Sequence, residues 1–259
     1  MTATFEFHVD SHLDDHWSAY LGGLVLRHVG DGTSMLTGVV ADQSQLHGVL
    51  AGLRDVGAPL LAVRMVEEES NPLAGLAWPK RTERLALRPA RAEDAEATWQ
   101  FRRLDSVGSW QTYGPMELEA YQSRFCEPDR LGVTLVIELE GEVIGDLMLR
   151  VEDGWAQKEV VDEARGTQAE LAWTLDPAYE GHGYATEAVR ELIRICFAEL
   201  GVRRIVATCF ADNEASWRLM ERVGMRRELH AVRDALHRSG EWLDTYGYAL
   251  LGGAAPNGE

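Results

Sequence analysis

The sequence predicts two α/β units in tandem, a small ferredoxin-like βαββαβ domain over residues 1–66 and a larger α/β domain over 84–252. Three observations predict this. Periodicity breaks between Val66 and Leu85, where Glu67, Glu68, Glu69, Ser70, Asn71 and Pro72 precede Gly75, Pro79, Lys80 and Arg81, so residues 67–83 read as a linker. Before the break, strand-like and helix-like patterns follow in the order β-α-β-β-α-β. After it, strands of period two alternate with helix-spaced apolar runs, and one glycine-rich turn leads into a strongly amphipathic helix. Residues 253–259 read as a tail.

In the first unit, residues 4–9 alternate as a strand, 13–21 form a short helix and 24–29 a second strand. Asp31-Gly32 has the composition of a hairpin turn, and 35–40 return as a third strand. Asp42-Gln43-Ser44-Gln45 has the form of a capped helix start, which Leu46, Val49, Leu50 and Leu53 continue at helical spacing. Gly57 and Pro59 stop it before a last strand at 60–66. This order suggests a ferredoxin-like sandwich, a fold that carries no functional message. His8, His12 and His16 are spaced by four beside Asp14 and Asp15, and two histidines four apart on a helix can share a metal. His8 falls in a strand and no third ligand is evident, so exposed or capping histidines are the simpler reading and no metal is expected.

In the second unit a strand at 85–88 leads to a helix from Ala92 to about Arg103, with Glu93 and Asp94 at its positive end. A second helix runs from Pro115 to Phe125. Residues 133–139, a turn at Glu140-Gly141 and residues 143–151 form a hairpin, with Val143, Gly145, Leu147, Leu149 and Val151 on one face. The acidic stretch 152–168 is a loop with a helical turn near 159–164. A strand over 169–175 ends at Pro177. The following helix has apolar positions at Ala185, Ala188, Val189, Leu192, Ile193, Cys196, Phe197 and Leu200, one continuous core face, and Gly201 at its stop.

A strand, then glycines, then a helix start is a recurrent way to bind phosphate, because the chain can approach the anion and the first N–H groups of the helix point at it. An ordinary turn has the same appearance. The dinucleotide fingerprint would need a glycine where this chain has Thr186, and a Walker loop would need Gly-Lys-Ser/Thr.

The run Glu180-Gly181-His182-Gly183-Tyr184-Ala185-Thr186-Glu187-Ala188 resembles the acetyl-coenzyme A (acetyl-CoA) pyrophosphate loop of the GNAT N-acetyltransferases. It is most like the branch that holds ribosomal-protein N-terminal acetyltransferases and some aminoglycoside acetyltransferases. Three later features match in order: a strand at 204–209, the run Asn213-Glu214-Ala215-Ser216-Trp217-Arg218-Leu219-Met220-Glu221-Arg222-Val223-Gly224-Met225, and Gly240-Glu241-Trp242-Leu243-Asp244 before a strand at 246–251. The resemblance covers about residues 82–251 and leaves the first 80 unexplained. It implies a GNAT fold, a mixed central sheet with flanking helices. The family loop usually begins with Gln or Arg; Glu180 stands there instead, a carboxylate that a pyrophosphate repels unless it points to solvent.

The resemblance also implies roles. The strand before the loop splays from its neighbour and the pantetheine arm enters the gap, which assigns the backbone of Trp173, Thr174 and Leu175, with Gly181, His182, Gly183, Tyr184, Ala185 and Thr186, to the cofactor. An N–H in that strand would polarise the thioester carbonyl. Glu170 stands where many members keep the carboxylate that takes the acceptor's proton, directly or through water; Asp146 is a second candidate. Ser216 would protonate the departing sulfur, in place of the Tyr many relatives use, and Asn213 would hold the pantetheine arm. The plain alternatives are core residues for Trp173 and Leu175, surface carboxylates for Glu170 and Asp146, and a helix cap for Asn213 and Ser216.

Of 259 residues, 42 are acidic and 25 basic, a formal charge of −17. Residues 1–80 hold 10 acids and 4 bases and the remainder 32 and 21, so both units are acidic. That makes a general nucleic-acid binder a poor fit. It either keeps a cytoplasmic protein soluble or attracts a cationic acceptor, whose affinity would then fall with salt. Cys126, Cys196 and Cys209 are too scattered for a disulfide framework and suit a reducing compartment; buried, Cys196 and Cys209 would be inert as nucleophiles. No apolar run is long enough to span a membrane. The expectation is a cytoplasmic acetyl-CoA-dependent N-acetyltransferase, without metal, acting on a small amine such as an aminoglycoside-like compound or on a protein N-terminus. The rival from another class is a non-catalytic acyl-CoA-sensing module with residues 1–66 as its output; separately, residues 1–66 read as a partner- or self-association domain, and a homo-oligomer could form through either unit.

Overall fold

The structure is a computed structural model that describes residues 3–14, 16–29, 32–66 and 71–253. The chain divides into two compact units, 1–69 and 70–259.

The first unit runs β1 (Ala3–Val9), α1 (His16–Tyr20), β2 (Val25–His28), β3 (Ser34–Val40), α2 (Gln43–Asp55) and β4 (Leu60–Val66). Its sheet has the order β2-β3-β1-β4 with every pairing antiparallel, the ferredoxin-like arrangement. Phe7, Val9, Leu36, Val49 and Leu53 are buried together between sheet and helices. The cap at Asp42 forms: its side chain accepts from the Gln45 N–H at 2.8 Å, and Gln45 Oε1 accepts from the Ala41 N–H at 2.7 Å. Helix α1 is shorter than expected, beginning only at His16. His12 therefore stacks on His28 at 4.0 Å, His8 bonds Thr33 and His16 sits by Asp14, so the three histidines do not converge. Asp15 and Asp31, half of the expected turn, lie outside the described residues, as do 67–70 and 254–259.

Residues 71–83, expected as linker, pack on the larger unit. Leu73 is buried in its core, the Trp78 indole donates to the Leu73 carbonyl, and β5 (Lys80–Arg81) pairs with β6 (Leu85–Pro89). Then follow α3 (Ala95–Arg102), α4 (Asp105–Gly108), α5 (Leu118–Phe125), α6 (Pro128–Leu131), β7 (Thr134–Leu139) and β8 (Glu142–Glu152). The chain continues through β9 (Gln168–Leu175), α7 (Tyr184–Ala198), β10 (Arg204–Phe210), α8 (Glu214–Arg222), β11 (Arg226–Leu236) and β12 (Trp242–Leu251). The eight strands lie in the order β11-β12-β10-β9-β8-β7-β6-β5, and β9/β10 is the parallel pair in an otherwise antiparallel sheet. Its mixed character and flanking helices are the GNAT arrangement.

Two cores cover its faces. Leu147, Leu149, Leu171, Val189, Leu192 and Ile205 pack on the α7 side. Ala95, Tyr121, Phe125 and Val136 pack under α3 and α5 on the other. The hairpin turn at Glu140-Gly141 forms with both residues at positive φ (53° and 89°), as its short loop requires. Beside it the register slips: Glu138 faces Val143 but Ile137 faces Gly145. This bulge inserts Ile144 and corrects the expected shared face, because Val143 packs against the Tyr121 cluster while Ile144 joins the main core with Leu147.

Candidate active site

The central feature is a gap in the sheet. Parallel pairing of β9 with β10 covers only Gln168, Ala169 and Glu170, opposite Arg204, Ile205 and Val206, and then stops, whereas β9 stays paired with β8 to Leu175. Which peptide groups face the gap follows from alternation along the strand. The Thr167 carbonyl accepts from the Arg204 N–H, and the Asp176 N–H donates to Ile144 of β8. Odd-numbered peptides between them therefore face β10 and even-numbered ones face β8. Trp173 and Leu175 present free N–H and C=O groups to the gap. Thr174 does not: its backbone is committed to Asp146 of β8, which corrects its expected backbone role, and it meets the site through its hydroxyl.

At the end of β9, Asp176 caps a short turn by accepting from the Ala178 N–H, and the chain enters the glycine loop. Gly181 and Gly183 have φ of 78° and 82°, left-handed backbone that glycine adopts without strain. Gly183 is the N-cap of α7, and no side chain caps that helix. Among the described residues, none accepts from the N–H groups of residues 181–186, so the helix end presents a row of unused donors. The His182 ring turns back, its Nδ1 on the Glu180 carbonyl and its plane stacked on Tyr184, so His182 offers the site its backbone. Glu180 is exposed at the rim.

Sequence reasoning missed what braces this loop. Glu187, in the first turn of α7, takes hydrogen bonds from the Thr82 hydroxyl (2.5 Å), the Arg84 N–H (2.9 Å) and the Arg84 guanidinium (2.8 Å). Arg84 then donates to the His182 carbonyl at 3.0 Å and lies over the Tyr184 ring. Partial burial would raise the Glu187 carboxyl, but these donors outweigh it and hold it below its ordinary 4.5. The brace is therefore complete above that pH and is lost only as pH falls through the lowered value. Glu187 stood within the quoted motif; its partners lie a hundred residues upstream, where no local pattern points to them.

Loop, gap and α8 line one cleft of about 1070 Å³. Trp173, Thr174, Leu175, Gly181, Gly183, Tyr184, Ala185, Thr186, Asn213 and Ser216 all border it, and His182 and Glu170 do not. Arg84, Arg190, Arg194, Arg218 and Arg222 border it too. Three of these are paired, with Glu187, Glu191 and Glu214, but Arg190 and Arg222 have no carboxylate partner among the described residues. Arg222 instead donates to the Thr186 hydroxyl at 3.0 Å, and Arg190 to the Arg222 carbonyl. A strongly acidic chain thus presents unpaired cations and free amides here. Open backbone donors, two unpaired arginines and a free strand edge fit the pyrophosphate and pantetheine of coenzyme A.

Asn213 is the N-cap of α8, its side chain accepting from the Ser216 N–H at 3.2 Å, so the capping role is present whatever else the residue does. Asn213→Ala is expected to cost about 1 kcal/mol and to lower the melting temperature by about 2–4 °C, measured by calorimetry. Burial pushes Cys196 up to about 12 and Cys209 up to about 11, the latter against the opposing influence of the Ser216 hydroxyl, so both are neutral thiols and poor nucleophiles at neutral pH.

On the opposite face of the sheet, Asp146 is buried and held by Arg102 through two bonds of 2.5 and 2.6 Å. Both of its oxygens are engaged by the Arg102 guanidinium. Glu170 is half-buried, cross-strand from Arg150, with an ion pair of 3.2 Å. Arg102 continues to Gln111 Oε1, and Gln111 Nε2 donates to the Thr174 hydroxyl, both at 3.2 Å, linking the ion pair to the wall of the cleft.

Among the described residues no group could hold a metal ion, and no helix is long and apolar enough to cross a membrane. The family model "Acetyltransferase (GNAT) domain" matches residues 84–226, and a domain of unknown function (DUF8691) matches residues 4–64. The chain is 39% identical over 82 residues to the uncharacterized N-acetyltransferase YnaD of Bacillus subtilis, covering 32% of this chain and 48% of YnaD, about half its length. It is 28% identical over 165 residues to the L-amino acid N-acetyltransferase AaaT of Escherichia coli, covering 62% of this chain and 94% of AaaT. The structure of Mycobacterium smegmatis RimJ in complex with CoA-disulfide is similar with a TM-score of 0.54 and 25% identity, over 67% of this chain and 84% of RimJ. Since the family match spans more than half of the chain and contains the splayed strand, the glycine loop and helix α7, this chain belongs to the GNAT family of acetyl-CoA-dependent N-acetyltransferases.

Proposed function

We propose that the larger unit moves the acetyl group of acetyl-CoA to a primary amine, on a small molecule or at a protein N-terminus, by direct attack and without an acyl-enzyme. The observation that carries this is the gap beside Trp173 and Leu175, opening onto the free N–H groups of the glycine loop. When bound, acetyl-CoA supplies an activated acyl group. The chain's own residues do the rest. Unpaired amides at 181–186, with Arg190 and Arg222, hold the pyrophosphate. The free edge of β9 would take the pantetheine, with the Trp173 N–H placed to donate to the thioester carbonyl. That AaaT is named for L-amino acids makes small amines the first acceptors to try. The free cysteines and the dependence on acetyl-CoA fit a cytoplasmic setting.

A protonated amine cannot attack. Glu170 takes the proton that the amine must lose before its nitrogen can attack. It lies three residues before Trp173, about 10 Å along the strand, so the proton travels through water. As the C–S bond breaks, Ser216 passes a proton to the sulfur and takes one in turn, through water, from the nitrogen of the new amide, so that coenzyme A leaves as the thiol. Glu170→Gln is expected to lower kcat about 100-fold or more with the CoA dissociation constant unchanged. A loss below about threefold would leave Glu170 as only the partner of Arg150, a part-exposed pair worth about 1 kcal/mol at most.

The reading as a whole is tested by thiol release from acetyl-CoA with a panel of amines. Amine-dependent release with formation of the N-acetyl product is expected. Tight CoA binding with no release on any amine would support the acyl-CoA sensor instead.

A further inference from the structure

Across the sheet from the CoA cleft lies a second pocket, of about 250 Å³, enclosed by α3, α5, α6 and the exposed face of β8 and β9. Ala172 and Asp146 are on its floor, and Gln111 borders both it and the CoA cleft. The two sites therefore meet at Gln111 and Thr174, beside the peptides of Trp173 and Leu175 that face the gap.

Three guanidiniums gather at this pocket, from Arg102, Arg124 and Arg130, around one engaged carboxylate, Asp146. Arg102 is satisfied by Asp146 and Gln111. The other two are not. Arg124 stacks at 3.5 Å on Tyr113, and its Nε is buried with no hydrogen-bond partner. Arg130 is half-buried, and among the described residues neither it nor Arg124 has an ion pair or a side-chain hydrogen bond to a protein acceptor. Glu127 and Asp129, the other acids on the lining, pair with none of the three; Arg103 lies over Trp99 and Arg150 pairs with Glu170. Burial, then the neighbouring charge of Arg102, makes Arg130 easier to deprotonate than an ordinary arginine, the mark of a cation lacking its counter-ion. Half-buried charges are kept unpaired only at a cost, and a ligand carboxylate would remove it by bidentate contact.

We propose that the acceptor is a small amino acid whose carboxylate sits on Arg124 and Arg130, with its amine turned toward Gln111, Thr174 and the gap. This rests on the transfer reading above and names the substrate class for it. Pocket volume suits one amino-acid-sized molecule, and its charge repels a polyamine or an aminoglycoside. The acidic surface of the chain as a whole is then no guide to the acceptor.

The test compares amino acids with their C-terminal carboxamides, which keep the amine and lose the charge. With full-length protein and acetyl-CoA, kcat/KM is expected to favour the acids at least tenfold. In the Arg124→Met, Arg130→Met double variant, KM for the acids should rise at least tenfold, with KM for the carboxamides and CoA affinity unchanged. An unchanged or higher melting temperature and normal CoA binding show that this variant folds; should it not fold, Arg130→Gln alone carries the same expectation. Turnover with carboxamides equal to or better than acids, or with polyamines best, overturns the proposal while leaving acetyl transfer standing. Calorimetric titration of the same acids into the CoA-saturated protein reads the pocket without turnover. Binding lost in the double variant, with no thiol release, would support the carboxylate site and remove the transfer reading. Absence of any such binding and of acid-selective turnover would remove the site.

Discussion

Replacing Gly183 with valine is expected to weaken CoA binding about 5–30-fold, or to lower stability by the equivalent amount. Gly183 caps α7 at φ 82°, and a residue with a Cβ pays about 1–2 kcal/mol there. Crowding is not the cause, since a Cβ at Gly183 would meet only Arg84 Nη2, at an ordinary 3.7 Å. If the loop keeps its shape, the strain is permanent and the melting temperature falls by about 2–8 °C. If it relaxes, the amides of 181–186 lose their common direction and the dissociation constant carries the penalty. Gly183→Asn, which tolerates left-handed backbone better, should fall between. Calorimetric titration together with a thermal scan reads both quantities; a valine variant unchanged in both would mean that the loop geometry does not matter.

Arg102→Ala is expected to be strongly destabilising. It leaves Asp146, 2% exposed, as a carboxylate without its counter-ion at the middle of the sheet. Removing one partner of a buried pair costs about 3–5 kcal/mol, a fall in melting temperature of about 6–20 °C for a domain of this size. Arg102→Met combined with Asp146→Leu removes both charges and should recover most of that loss. Activity should not recover with it, because Gln111 loses the guanidinium that sets its amide against Thr174. A double variant as unstable as the single one would show that volume, not charge, sets the cost.

What was legible in the sequence was whatever a short window contains. Helix α7 announced its core face by spacing, although Ile195, fully buried, was not among the positions expected. Gly183 and the donors that follow it were readable because one loop builds them. Strand β11 was missed because it is an edge strand with nearly every residue exposed, so it has no apolar alternation to display. The bulge at Ile144 was invisible for another reason: a one-residue slip leaves the period of a strand intact and changes only which face it serves. Most hidden were contacts between distant segments. Thr82 and Arg84 bracing Glu187, and Arg102, Arg124 and Arg130 lining one pocket, come from positions that only the tertiary fold brings together. A sum over the chain cannot reveal that the walls of both clefts collect its arginines.

Coenzyme A is proposed to lie in the gap beside Trp173 and Leu175 and to end on the amides of residues 181–186. A crystal structure of the full chain with CoA tests it most directly. Continuous density is expected along the free edge of β9, with the pyrophosphate within hydrogen-bonding distance of the glycine loop. Coenzyme A found elsewhere, or β10 closed onto Leu171–Leu175 to fill the gap with protein, would contradict it.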